Sequence, residues 1–148
     1  MKKIPFKYTP ITIVLIILVI AIFGASAVFN AIDIFSFINQ SVTRTVFSAV
    51  LTALSVILLS VALSVVIYGR YIVKDGYLFI RFGIFYSKIN IADIFQVTEF
   101  VKQKKLVFYI KGEKYSVAVI DKKRYQEFYD ALKTFNPDIT YTVVSDEN

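Results

Sequence analysis

Two long stretches without a charged residue, 8–32 and 45–69, dominate the pattern of hydrophobic and polar positions along this chain. About 20 apolar residues in a helix cross a hydrocarbon core about 30 Å thick, so both stretches can span with some length left for tilt. Thr9 can cap the first helix and Pro10 fits its first position, where the missing N–H is not needed. Spans are expected over about 10–30 and 46–68. Lipid gives no hydrophobic drive to pair helices, so close packing falls to small side chains. Ala21, Gly24 and Ala25 are expected to face Ser48, Thr52, Ser60 and Ser64 in an antiparallel hairpin. The alternative is that these Ser and Thr hydroxyls only bond their own helix backbone.

After residue 69 the period falls to two. Alternation of apolar and polar residues predicts strands at 71–73, 77–82, 85–90, 95–101, 106–110 and 115–119. Lys74-Asp75-Gly76 reads as the turn of a first hairpin, with Leu78, Ile80 and Phe82 on one face of the strand that follows. Tyr125, Phe128, Tyr129, Leu132 and Phe135 then fall on one helical face, with Asp121 as the cap and Asn136-Pro137 as the stop. The expected fold is a membrane α-helical hairpin of two spans over 1–69 plus an α+β domain over 70–148. That domain is an antiparallel meander of about six strands capped by a C-terminal helix, and 139–144 could add an edge strand.

Composition narrows the chemistry. Of 148 residues 57% are hydrophobic and 19% charged, and the mean hydropathy is +0.64, which suits a membrane rather than a soluble domain. Neither Cys nor His occurs, which excludes disulfides, thiolate or imidazole catalysis and the common zinc sites. An enzyme would have to work with carboxylates, Lys or Tyr alone, and no two carboxylates form an evident acid–base pair. Asp75 and Glu113 fall in turns, Asp93 in a connection, and Glu127 and Asp130 at spacings that pair them with Lys123 or Lys133. No Gly-rich phosphate loop or calcium loop is present, and the cations do not interleave with aromatics as in nucleic-acid-binding segments. A non-catalytic protein with no cofactor, no metal and no nucleic-acid partner is expected.

Orientation follows from the cations. Lys2, Lys3 and Lys7 precede the first span and Arg70, Lys74 and Arg81 follow the second, whereas the loop between them carries only Arg44, set against Asp33. Both termini are expected in the cytoplasm, with Ile34, Phe35, Phe37 and Ile38 in the outer interface. A rival reading takes 1–10 as a basic n-region, 11–23 as a signal-peptide core and Ala25-Ser26-Ala27 as its cleavage site, leaving one span. The apolar run continues through Val28 and Phe29, which favours retention of both spans.

The run from Tyr71, Ile-Val-Lys-Asp-Gly-Tyr-Leu-Phe-Ile-Arg-Phe-Gly-Ile-Phe, then Lys88-Ile-Asn-Ile-Ala-Asp-Ile94 and a helix ending Phe-Asn-Pro-Asp-Ile139, resembles bacterial membrane proteins with a C-terminal pleckstrin-homology-like (PH-like) domain, the small YyaB-like family. The resemblance covers about 71–139. It departs at 98–106, shorter than the Pro- and Ser-containing loop usual there, and at Ile120-Asp121, where Ser-Pro is usual. It implies a PH-like fold, a bacterial cell membrane and a non-catalytic role, linked in some members to self-immunity against antimicrobial peptides, without a transferable ligand.

Two basic clusters are the candidate site. Lys102, Lys104 and Lys105 lie before the strand at 106, and Lys122, Lys123 and Arg124 occupy the expected first turn of the helix. Cations there oppose the helix dipole, which suggests a nearby anion such as a lipid phosphate or an acidic partner. Anionic headgroups attract juxtamembrane cations by about 1 kcal/mol each. The plainer reading is a solvated surface with Asp121 taking the free N–H groups. The sequence thus offers two functions: a binding or assembly module for anionic lipid, a protein partner or a second copy, and an immunity-type protein that protects against a membrane-active peptide.

Overall fold

The structure, a computed structural model, describes residues 1–35 and 41–145. Phe37 and Ile38, expected in the outer interface, lie outside the described residues. The chain divides into a helical unit, Thr9–Tyr68, and a sheet unit made of Met1–Tyr8 and Gly69–Asn148.

The helical unit pairs α1 (Pro10–Phe35) with α2 (Val42–Tyr68), each long and apolar enough to cross a membrane. Thr9 caps α1 as expected, its hydroxyl accepting from the Thr12 amide at 3.2 Å. Both helices reach further toward the loop than the charge-free stretches do, and the Arg44–Asp33 pair joins those extensions at 3.3 Å. The helices are antiparallel: Thr12 and Ile16 lie beside Ala62 and Val65 at one end, and Ser26 Oγ lies 3.0 Å from Ser55 Oγ further along. Among the inward positions of α2, Thr45, Ser48, Thr52, Ser55, Leu59 and Ala62 recur at alternating spacings of three and four, a heptad seam, and beyond it Ser64 is buried off that spacing.

That seam corrects part of the expected pairing. Ser48 and Ser64 are buried as expected, but Ser60 is exposed and donates to the Val56 carbonyl at 2.8 Å. Ala21 and Ala25 are exposed, and a Cβ on Gly24 would meet nothing within 4 Å. Helical phase selects the seam, and it brings Ser26 and Ser55 inward instead. The backbone-bonding alternative holds beside the packing one: Thr52 and Ser64 hydroxyls face inward yet donate to Ser48 and Val61 carbonyls at 2.8 and 2.7 Å.

In the sheet unit the six expected strands all form, within a residue or two of their expected bounds: β2 (Arg70–Lys74), β3 (Tyr77–Phe82), β4 (Phe85–Asn90), β5 (Ile94–Phe100), β6 (Lys105–Ile110) and β7 (Lys114–Ala118). Two more join them, β1 (Lys2–Pro5) and β8 (Thr140–Val144). The strands make two four-stranded sheets, β1-β2-β3-β4 and β7-β6-β5-β8, instead of one meander. The break falls at the tight 3-10 turn Ile91–Asp93, where the Asn90 side chain accepts from the Ala92 amide at 3.1 Å. All pairings are antiparallel except that of β8 with β5. The β2–β3 turn falls where expected, and its form is a two-residue type I′ hairpin, with Asp75 and Gly76 both at positive φ.

The strand β1 corrects the boundary at 69/70. Its core residue Ile4 is fully buried opposite Tyr71, and beyond it the Phe6 amide donates to Gly69 O at 3.1 Å and the Lys7 amide to Val119 O at 2.9 Å. Gly69 allows that approach, since a Cβ there would run into the Tyr8 hydroxyl. Residues 1–8 therefore belong to the sheet unit. A chain cut after Ala27 would lose this strand and with it the buried Ile4 opposite Tyr71.

One helix, α3 (Tyr125–Lys133), closes the core with Tyr125, Phe128, Tyr129 and Leu132 buried as expected. Phe135 departs from that face because α3 stops at Lys133, and its ring is exposed. Asn136 does more than end the helix. Its amide donates to the Ile91 and Ile94 carbonyls at 3.2 and 2.9 Å, tying the chain to the break between the sheets.

Candidate functional site

The β5–β6 connection carries the first basic cluster. Phe100 pairs with Lys105, and the four residues between them reverse the chain with Lys104 at φ 51°. Lys102, Lys104 and Lys105 are exposed. The second cluster forms a 3-10 turn, Lys122–Arg124, whose cap is Asp121: the carboxylate accepts from the Lys123 amide at 3.0 Å. These cations thus precede α3 instead of forming its first turn, and the Asp121 carboxylate already satisfies the amide that an external anion would take. The helix-dipole argument for a bound anion loses its footing here.

Folding nevertheless brings the two clusters together. The Tyr125 hydroxyl donates to the Lys104 carbonyl at 2.7 Å, and Lys122 Nζ lies 3.3 Å from Glu99 Oε1. The other Glu99 oxygen accepts from the Tyr141 hydroxyl at 2.7 Å, so this carboxylate, only 14% exposed, joins β5, β8 and the 3-10 turn. Burial, then the bond to Glu99, pushes the Tyr141 hydroxyl's pKa well above the usual phenol range. Burial raises that of Tyr125 too, followed by the charges of Glu99 and Asp121. Both hydroxyls therefore remain donors at neutral pH.

A third cation enters from the other end of the sequence. Lys7 Nζ lies 2.7 Å from Asp121 Oδ2, and this bond, ahead of the Lys123 amide, holds the Asp121 pKa below its ordinary value. Lys7 is one residue from Tyr8, where the chain leaves the sheet unit, and Pro5 pairs with Arg70, where it has just returned. The register then places Arg81 opposite Arg70. Lys7, Arg70, Arg81 and both predicted clusters thus occupy the end of the unit from which the chain departs.

Among the described residues, carboxylates are sparse at that end. Lys122 pairs with Glu99 and Arg124 lies 3.7 Å from Glu127, but Lys102, Lys104, Lys105 and Lys123 have no carboxylate partner among the described residues. Asp75 and Glu113 fall in the turns at the opposite end, and Asp93 and Asp138 follow the same side of the fold. The helical carboxylates pair differently from expectation. Glu127 meets Lys2 of β1 at 3.0 Å, which lowers its pKa, and Asp130 accepts from Gln126 at 2.8 Å. A shallow groove of about 600 Å³ lies beside this Lys2–Glu127 bridge, lined also by Asp130, Thr134 and Phe135. Its mixed charges give no one-signed surface.

Sequence reasoning missed Lys7 as a member of the basic end. The signal was present but short: Ile4 and Phe6 alternate with Lys3, Pro5 and Lys7, a period of two that lasts only a few residues and contains a proline. Comparison with protein-family models, with curated proteins and with solved structures finds no match to this chain.

Proposed function

We propose that this chain is a multi-pass protein of a bacterial cell membrane, with both termini cytoplasmic, that holds a non-catalytic PH-like unit against the anionic leaflet and binds acidic lipid headgroups. The PH-like reading is supported by seven strands in antiparallel order, in two sheets, followed by one closing helix. Same-sidedness of the termini is supported by β1, because a strand hydrogen-bonded to β2 shares its side of any bilayer. One observation carries the binding reading: Lys102, Lys104, Lys105, Lys122, Lys123 and Arg124 meet at the end of the sheet unit where the chain departs for two apolar helices.

Electrostatics gives the scale. Each of the four lysines without a carboxylate partner contributes about 1 kcal/mol next to an anionic surface, and the attraction decays over about 10 Å at 0.1 M salt. The test is lysine acetylation of the full-length protein in nanodiscs, read by mass spectrometry. Discs containing phosphatidylglycerol should protect Lys102, Lys104, Lys105 and Lys123 relative to discs of pure phosphatidylcholine, while Lys111 and Lys114 at the opposite end label equally in both. Equal labelling of the basic end in the two discs would overturn the headgroup reading. Protection that vanishes in high salt would identify diffuse attraction, and protection that persists a shaped headgroup site.

A further inference from the structure

The hairpin joining β3 to β4 ends in an apolar point. Phe82 pairs with Phe85, and only Gly83 and Ile84 lie between them. Gly83 has φ 64° and Ile84 does not have a positive φ, the signature of a type II′ turn, the shortest connection two antiparallel strands can have. Phe82, Ile84, Phe85 and Tyr86 are 48, 61, 64 and 75% exposed. A soluble surface has no use for four large exposed side chains within five residues around one tight turn. Such a tip on a sheet edge is ordinarily an aggregation hazard.

Its position in the sheet says what covers it. The register sets Pro5 beside Arg70 and Arg70 beside Arg81, so the tip begins one residue past the row of strand ends through which the chain enters and leaves the unit. The Phe6 ring, two residues from the departure point at Tyr8, lies 6.2 Å from the Phe82 ring. On the return side only Gly69 separates α2 from β2, and one residue covers at most about 3.6 Å. Arg81, whose Nε donates to the Gly83 carbonyl at 3.3 Å, sets one cation at the base of the apolar tip, as cations and aromatic rings neighbour one another at the boundary between headgroups and acyl chains.

We infer that residues 82–86 are a lipid-inserting wedge: Ile84 and Phe85 enter the acyl-chain boundary of the same bilayer, and Tyr86 and Phe82 sit at headgroup level. The occupant is phospholipid hydrocarbon and glycerol backbone, and it differs in chemistry and in place from the acidic headgroups assigned to the lysines. The inference rests on the reading of α1 and α2 as membrane spans.

The absence of Cys permits a single-site label. Full-length Ile84→Cys, carrying an environment-sensitive fluorophore, is placed in pure phosphatidylcholine nanodiscs with spin-labelled lipid, beside Glu113→Cys as the control at the opposite end of the sheets. The label at position 84 should emit at shorter wavelength and lose intensity to the spin-labelled lipid, and the label at 113 should do neither. Equal emission and no quenching at both positions would overturn the wedge. A blue shift at 84 without quenching would also overturn it, because the tip would then be covered by protein, and thiol cross-linking between copies would identify a second chain as that cover. Because the discs are neutral, quenching at 84 is independent of whether the lysines bind acidic headgroups.

Discussion

Lys104 holds a left-handed backbone, φ 51°, at the turn between β5 and β6, while its carbonyl receives the Tyr125 hydroxyl. A side chain in that region costs about 1 kcal/mol relative to glycine. Keeping a lysine where glycine fits better is a local conflict of the kind expected at functional positions. Lys104→Gly separates fold from function, because the bond from Tyr125 is to the backbone and survives the substitution. The variant should be more stable by up to about 1 kcal/mol, seen as a higher unfolding midpoint of the sheet unit. In the same variant, the remaining lysines should be less protected in phosphatidylglycerol discs, since one cation has been removed. A loss of stability instead would mean that the Lys104 side chain holds the turn.

Among the elements, β1 has an ion pair at its start and another just past its end. Lys2–Glu127 and Lys7–Asp121 fasten its two ends, and Ile4 fills the core between them. Both carboxylates are held below their ordinary values of 4.5 and 3.8. The pairs therefore stabilise the docked strand above those values and cease to as pH falls through the lowered ones. Amide exchange in β1 should accelerate relative to β6, after correction for intrinsic rates, as the pH falls below both ordinary values and through the lowered ones. Uniform acceleration of both strands would show that β1 has no separate opening. This element was also the least legible in the sequence. Strands β2 to β7 announced themselves through alternation sustained over several residues, with Asp75-Gly76 and Gly112-Glu113 at the turns. The face of α3 was equally plain from Tyr125 to Leu132. The break at Ile91–Asp93, the parallel pairing of β8 and the seam of α2 depend on contacts far apart in the chain, which local periodicity does not encode. The basic clusters were visible one by one, and only their meeting through Tyr125 and Glu99 required the fold.

At the scale of the whole molecule the helical hairpin interrupts a domain instead of preceding one. The first strand is made before either span and docks only after the second, so the sheet unit is completed last and its closure depends on an even number of crossings. The ends of the interruption are close: Phe6 N lies 3.1 Å from Gly69 O, so residues 7 and 8 need turn only once to reach 69. Replacing Thr9–Tyr68 by a short Gly-Ser linker should therefore give a soluble, cooperatively folding unit in which the amides of β1 remain protected. The comparison chain is residues 70–148 alone, which lacks Ile4 and leaves the outer edge of β2 open. Emptying a fully buried isoleucine site costs about 2–5 kcal/mol by itself, a large share of what a domain this small possesses. The linked chain should unfold in one sharp transition, and the 70–148 fragment at a much lower denaturant midpoint or without a transition. Equal midpoints would mean that β1 contributes nothing, returning residues 1–8 to the role of a basic flank and restoring cleavage after Ala27 as a reading compatible with the fold.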